Sequence, residues 1–163
     1  MPRKYLIFLS LSGLVVALDQ IAKIAVQLTF RLGESRVIIP DFFNLSYIHN
    51  PGAAFGLLSK TPPAFRIPFF ILIPLIAFVC IIFIFRRLTG EQMTLITSLA
   101  LILGGALGNF IDRIRFGYVI DFFDLHWFDR YHWPAFNVAD MAICAGVGIL
   151  IYLTLFTSEK ESA

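Results

Sequence analysis

Between Gly108 and Asp140 the chain gathers three carboxylates, Asp112, Asp121 and Asp140, with Asn109, Arg113 and Asn137 close by in sequence. Only 11 of 163 residues are acidic, so placing three of them between strongly apolar segments needs a reason. Ionisable groups within or beside membrane-spanning segments mark functional sites by default. The pair with the clearest chemistry is Asp121 with Asp140. Two carboxylates at hydrogen-bonding range in a poorly solvated pocket cannot easily both ionise, so they hold one proton between them. The ionised member can take a proton from water while the protonated member donates to a carbonyl oxygen.

Each candidate also has a plainer reading. Asn137 followed three residues later by an acid, just before an apolar run, resembles a helix N-terminus, with Asn137 as cap and Asp140 in the first turn. Asp121 could be a solvated loop acid like Asp124 and Asp129, although Val119, Ile120, Phe122 and Phe123 around it predict partial burial. Asp19 and Lys23 are four apart on one helical face, which suits either a mutual ion pair or support of a site. Asp112 and Arg113, one turn after Asn109, suit either an interfacial snorkelling group or a polar frame that positions a substrate backbone.

The elements that must carry these residues are membrane helices. The apolar fraction is 58%, with 18 Phe, against 15% charged, more apolar and less charged than soluble proteins. Four segments are long enough to cross a bilayer: Tyr5 to Phe30, Ile67 to Phe85, Met93 to Asp112 and Val138 to Phe156. One domain over residues 1–163, an all-α four-helix membrane bundle, is the expected architecture. The basic, then apolar start imitates a signal peptide, but the apolar pattern continues beyond Ala17, which predicts a retained first helix. Pro68 and Pro74 lie in the second span, where neighbouring groups can absorb a break.

With four alternating spans, the loop from Arg31 to Arg66 and the loop from Arg113 to Pro134 share one membrane face, together with Asp112, Asp121 and Asp140. Asp19 lies about two-thirds of the way up the first helix toward that face. Arg3, Lys4, Arg86 and Arg87 crowd helix ends on the opposite side, which predicts both termini in the cytoplasm and the site near the outer face. In the first loop, alternation at Phe43, Leu45 and Tyr47 predicts strands, and Asn50-Pro51-Gly52 a turn. A small extramembrane sheet should therefore lie over the bundle, with a short interfacial helix around Phe55 to Leu58. Small residues at four-residue spacing, Gly104 with Gly108 and Ala142 with Gly146, predict close packing of the third and fourth helices.

Other chemistries lack support. Net charge is only +2 and basic residues form no run, so nucleic acid is excluded as a partner. Cys80 and Cys144 lie in apolar runs without metal or redox spacing, and read as packing residues. His49, His126 and His132 lack metal-site spacing; the latter two, among Trp127, Tyr131 and Trp133, read as interfacial anchors. No phosphate-cradling, zinc or nucleophile-elbow motif is present, and no metal or cofactor is expected. A proton-coupled transporter would show internal repeats or broken helices, and neither is evident.

Taken together, five blocks resemble the bacterial prolipoprotein signal peptidases, also called signal peptidase II. They are Asp19-Gln20 with Lys23; Asn50-Pro51-Gly52-Ala53-Ala54-Phe55-Gly56; Gly108-Asn109 with Asp112-Arg113; Gly117-Tyr118-Val119-Ile120-Asp121-Phe122; and Phe136-Asn137-Val138-Ala139-Asp140. Their order agrees with the family's over nearly the whole chain; Ala22 departs, where many members carry Ser or Thr. The resemblance implies an intramembrane aspartic endopeptidase that cuts prolipoproteins before a diacylglyceryl-modified cysteine, with Asp121 and Asp140 as its dyad. It implies that Asn50, Gly52, Asn109, Asp112, Arg113 and Asn137, with Asp19 and Lys23, shape the pocket and hold the substrate backbone. It further implies a multi-pass protein of the bacterial cytoplasmic membrane, with membrane lipids and the cyclic peptide globomycin as partners. An apolar path between helices would take the acyl chains, and the segment from Asn50 to Gly56 would act as a gate.

Overall fold

A computed structural model describes residues 2–52, 58, 61–128 and 130–157. Among them, four helices are long and apolar enough to cross a membrane: α1 (Arg3–Thr29), α2 (Pro63–Arg87), α3 (Met93–Phe116) and α4 (Val138–Thr157). Helix α3 is the central element, touching the other three. It is far more buried than α2, most of whose surface stays exposed.

Helix α1 shows how the sequence selects a face. Its buried residues Phe8, Ser12, Val15, Asp19, Lys23 and Val26 recur every three or four positions, so they form one stripe down one side of the helix. Two charged residues lie on that stripe, while Leu6, Leu9, Leu14, Leu18 and Ile21 are exposed. This inversion of the soluble pattern is what a helix facing lipid on one side and a polar site on the other requires.

Close approach depends on glycines. A methyl group at Gly105 would collide with the backbone carbonyl of Ala139 and with Ile143 on α4. One at Gly146 would meet Ile102 and the carbonyl of Ser98 on α3. Thus α3 and α4 pack backbone to backbone, as expected. Gly104, by contrast, faces Ser12 and Val15 of α1; because α3 is central, its small residues serve two neighbours.

Two apolar clusters hold the ends of the bundle. Phe8, Ile81, Phe85, Leu88, Ile96 and Leu99 join α1, α2 and α3 at the end carrying Arg86 and Arg87. Val26, Tyr47, Ile120 and Phe122 join the far end of α1 to a small sheet. The sheet is antiparallel, in the order β1 (Ser35–Ile39), β2 (Phe43–Asn50), β3 (Val119–Trp127) and β4 (Tyr131–His132). The first loop supplies only half of it; β3 and β4 come from the second loop. Helix α3 continues one turn beyond Asp112, the end expected from hydropathy, because Ile114 to Phe116 remain helix-compatible. Gly117 at φ 78° then closes it, its N–H donating to the Arg113 carbonyl, a conformation glycine adopts without strain. Helix α2 runs through Pro68 and Pro74 without interruption.

Three smaller expectations change. His126 is buried and stacked on His132, whereas Trp127, Tyr131 and Trp133 are exposed as interfacial residues should be. Asp124 is not a free loop acid, since it pairs with His132 at 3.1 Å. Both thiols are exposed and not within the core, and Cys144 lines a cavity.

Candidate active site

Strand pairing places Asp121. Asn50 at the end of β2 pairs with Val119, and Ile48 pairs with Asp121, so Asn50 and Asp121 lie on adjacent strands. Flanked by buried Val119, Ile120 and Phe122, Asp121 is itself buried; the loop-acid reading fails because its segment is a strand covered by the bundle. The chain before α4 is then stitched to the same strand. The N–H groups of Phe122 and Phe123 donate to the Phe136 carbonyl, and Phe136 N–H donates back to Phe123. That stitching delivers Asn137, and with it the first turn of α4, to Asp121.

Asn137 joins the two carboxylates. Its Nδ2 donates to Asp121 Oδ1 at 2.7 Å and its backbone N–H donates to Asp140 Oδ2 at 3.2 Å. Asp140 N–H donates in turn to Asn137 Oδ1 at 3.0 Å. This is the reciprocal arrangement of a capping box, so Asp140 caps α4 with one oxygen. Its other oxygen accepts from Asn109 Nδ2 at 2.8 Å and faces the site. The capping and site readings of Asp140 are therefore compatible.

Asn50 completes the surroundings of Asp121, its Nδ2 donating to Oδ2 at 2.9 Å. Gly52 N–H occupies Asn50 Oδ1 at 3.0 Å, which fixes which end of the amide faces the carboxylate. Arg113 donates to the Gly52 carbonyl at 3.2 Å and lies over the Phe70 ring, 4.7 Å from its centroid. Burial first, and then the charge of Asp140, push the Asp121 carboxyl up to about 7 from the usual 3.8, against the donors from Asn50 and Asn137.

Behind the pair lies a second, fully buried group. Lys23 Nζ is 2.8 Å from both Asp19 Oδ2 and Asp112 Oδ2, and donates to Asn109 Oδ1 at 2.9 Å. The i,i+4 ion pair expected from α1 therefore exists and is also joined to the site. Gln20, one residue beyond Asp19, donates to Asp112 Oδ1 at 2.9 Å. Its position marks it: an amide side chain inside an apolar helix, beside Asp19 and one turn before Lys23. Ala22 packs beside Val26 and Tyr47, so a methyl group suffices there.

A cavity of about 450 Å³ opens at the carboxylates. Asn50, Asn109, Arg113, Asp121 and Asp140 line its polar end; Leu125, Trp133, Phe136, Met141 and Ile143 line the rest. A mostly apolar cleft with a few converging polar groups is the usual form of a ligand site. All ten residues singled out from sequence thus lie in one connected cluster. The expected gate and interfacial helix involve residues 53–57, outside the described residues.

The folded state holds a proton on Asp121 that the unfolded chain releases, so this group's stabilisation is lost as pH rises from about 4 to about 7. Asp121→Asn should remove that loss. Its melting temperature in detergent should exceed the wild type's at pH 8 by roughly 5 °C, with the gap closing toward pH 4; a gap independent of pH would contradict the assignment. Asn137→Ala deletes the α4 cap and the bridge together. It should cost about 1–2 kcal/mol through the cap alone, read as a lower melting temperature.

Known proteins place this architecture. The profile of the family described as Signal peptidase (SPase) II matches residues 11–156. The lipoprotein signal peptidase of Syntrophotalea carbinolica is 47% identical over 148 residues, covering 91% of this chain and 90% of that protein. That of Syntrophus aciditrophicus is 46% identical over the full length of both. A solved bacterial membrane enzyme superposes with a TM-score of 0.83 at 31% identity, covering 96% of this chain and 91% of its own. The chain, a multi-pass membrane protein, belongs to the signal peptidase II family.

Proposed function

We propose that this single-domain protein is an aspartic endopeptidase that removes the signal peptide of prolipoproteins, cutting before a diacylglyceryl-modified cysteine. One observation carries the mechanism: Asn137 hydrogen-bonds at once to Asp121 and Asp140, two carboxylates that line a largely apolar cavity. Near neutral pH the pair holds one proton. The protonated Asp121 donates to the scissile carbonyl oxygen, while Asp140 takes a proton from the attacking water. Asp140 suits the ionised role because it stands in the first turn of α4, where the helix dipole favours negative charge. Asn50, Asn109 and Asn137 hold both carboxylates in register, and Arg113 secures the segment carrying Asn50 through the Gly52 carbonyl.

The substrate's form explains the location. A signal peptide and its acyl chains already lie in the bilayer, so a site at the sheet-bearing end of the bundle meets the scissile bond where lipid and water are both available. Basic residues at the opposite end, Arg3, Lys4, Arg86 and Arg87, favour a cytoplasmic location for that end. The sheet and site then face outward from the bacterial cytoplasmic membrane, with both termini inside. The apolar cavity wall would take acyl chain at about 0.8 kcal/mol per buried CH₂, and the cyclic peptide globomycin would compete for the site.

The test is cleavage of a diacylglyceryl-modified precursor by the purified protein in detergent, beside the unlipidated precursor. Only the lipidated form should be cut, and globomycin should block the reaction. Because the reaction needs the proton on Asp121, kcat/KM should decline as pH rises above about 7. Equal cleavage of both precursors would refute the lipid specificity, and activity rising steadily to pH 9 would refute the role of Asp121 as acid.

A further inference from the structure

We propose that Lys23 is the positioning residue of the dyad, clamping in place the two backbone segments that carry Asp121 and Asp140. The inference rests on the reading of those two residues as the catalytic pair. It begins from a regularity in the buried cluster: Asp112 Oδ2 accepts the backbone N–H of Ile120 at 3.1 Å, and Asp19 Oδ1 accepts the backbone N–H of Ala139 at 2.9 Å. Each of these N–H groups belongs to the residue immediately preceding a catalytic aspartate, one in β3 and the other in the first turn of α4. Lys23 spans both anchors, lying 2.8 Å from each carboxylate.

The third donor of the ammonium group has a separate effect. Lysine can only donate, so its bond to Asn109 Oδ1, an oxygen that also accepts from Asn137 Nδ2 at 3.0 Å, helps turn the other end of that amide, Nδ2, toward Asp140. The three N–H groups of Lys23 therefore reach Asp121 through Asp112 and Ile120, reach Asp140 through Asp19 and Ala139, and orient the donor on Asp140 through Asn109. Gln20 fills the remaining oxygen of Asp112. Room for the cluster comes from Gly108, where a methyl group would lie 2.6 Å from Asp19 Oδ2.

A simple ion pair accounts for less than this. Lys23 and Asp19 on one helical face would satisfy each other without Asp112, Asn109 or two backbone contacts on separate elements. Buried ion pairs are also weak devices for stability, since apolar replacements of similar volume often do as well. The backbones of β3 and α4 reach the site from different parts of the chain, and among the described residues this cluster links the residue before each aspartate to one cation. Positioning of this kind acts on turnover and leaves substrate affinity largely alone, because the substrate meets the cavity and not the cluster.

Lys23→Met keeps the apolar stem and removes the three donors. Its kcat for a diacylglyceryl-modified precursor should fall by about a hundredfold, the scale of a small misplacement of catalytic groups. Its Kd for the same precursor, measured in an Asp121→Asn background, should stay within about threefold. If Lys23→Met does not fold, Asp19→Asn/Lys23→Met removes one carboxylate charge together with the ammonium and leaves Asp112 held by Gln20 and the Ile120 N–H; it should fold and show the same selective loss of kcat. Wild-type kcat in either variant overturns the proposal, as do kcat and affinity falling together with the folded fraction, the mark of a merely structural lysine. Cleavage that persists in Asp121→Asn with Lys23 intact would remove the dyad itself, and is separable from those outcomes.

Discussion

Asp121→Asn and Asp140→Asn should each lower cleavage of a lipidated precursor by about 10³-fold or more, within the range that general acid and base groups contribute. Asparagine keeps the shape and hydrogen-bonding reach of aspartate but carries no ionisable proton. In Asp121→Asn the carbonyl oxygen loses its proton donor; in Asp140→Asn the water loses its base. The two losses should not add, because the residues share one proton and act as a unit, so the double variant should fall no further than the worse single one. Folding is not at issue for Asp121→Asn, whose melting temperature should rise at alkaline pH as described above. Single-turnover cleavage in detergent, followed with the melting temperature of each variant, makes the measurement. Either variant retaining more than a tenth of wild-type turnover would mean that the carboxylates are not the acid and base.

The largest expected effect on stability is at Gly105. Gly105→Ala places a methyl group against the Ala139 carbonyl and Ile143, a backbone atom and a side chain in the core of the α3–α4 contact. Overpacking of this kind costs about 1–3 kcal/mol, and more where only a helix shift relieves it. A shift of α4 moves Asp140 away from Asn109, so turnover should fall beyond what the lost stability explains. Gly148→Ala is the control: nothing lies within 4 Å of its added methyl group, and replacing a helical glycine should be neutral or slightly stabilising. Equal melting temperatures for the two variants would show that α3 and α4 do not meet at Gly105.

By itself the sequence determined the class of chain and the four spans, and it pointed to the residues of the candidate site. These are legible because bilayer thickness sets the length of an apolar run, and because a charge in such a run is costly enough to need a purpose. Asp19 and Lys23 stand out for that reason before any neighbour is known. Alternation at Phe43, Leu45 and Tyr47 likewise announces β2. The partnerships, however, lie at separations that local pattern cannot reach. Asp19 meets Ala139, Lys23 meets Asn109, and Asn50 meets Asp121; each depends on how α1, α3, α4 and the sheet pack.

Only the tertiary structure decided that Asp121 sits in a buried strand and not on a loop. Its neighbours in sequence are compatible with either state, and the covering bundle and the register with β2 choose between them. The same holds for Asp140, whose spacing from Asn137 announces a cap; that its second oxygen is held by Asn109 beside the cavity follows from packing against another helix. Gly104 turned toward α1 and Gly105 toward α4 for a related reason, since both faces of the central helix are buried and periodicity alone cannot tell them apart. What local periodicity and hydropathy encode was readable from the chain. The assignment of partners across elements was not, because packing is settled by the whole bundle at once.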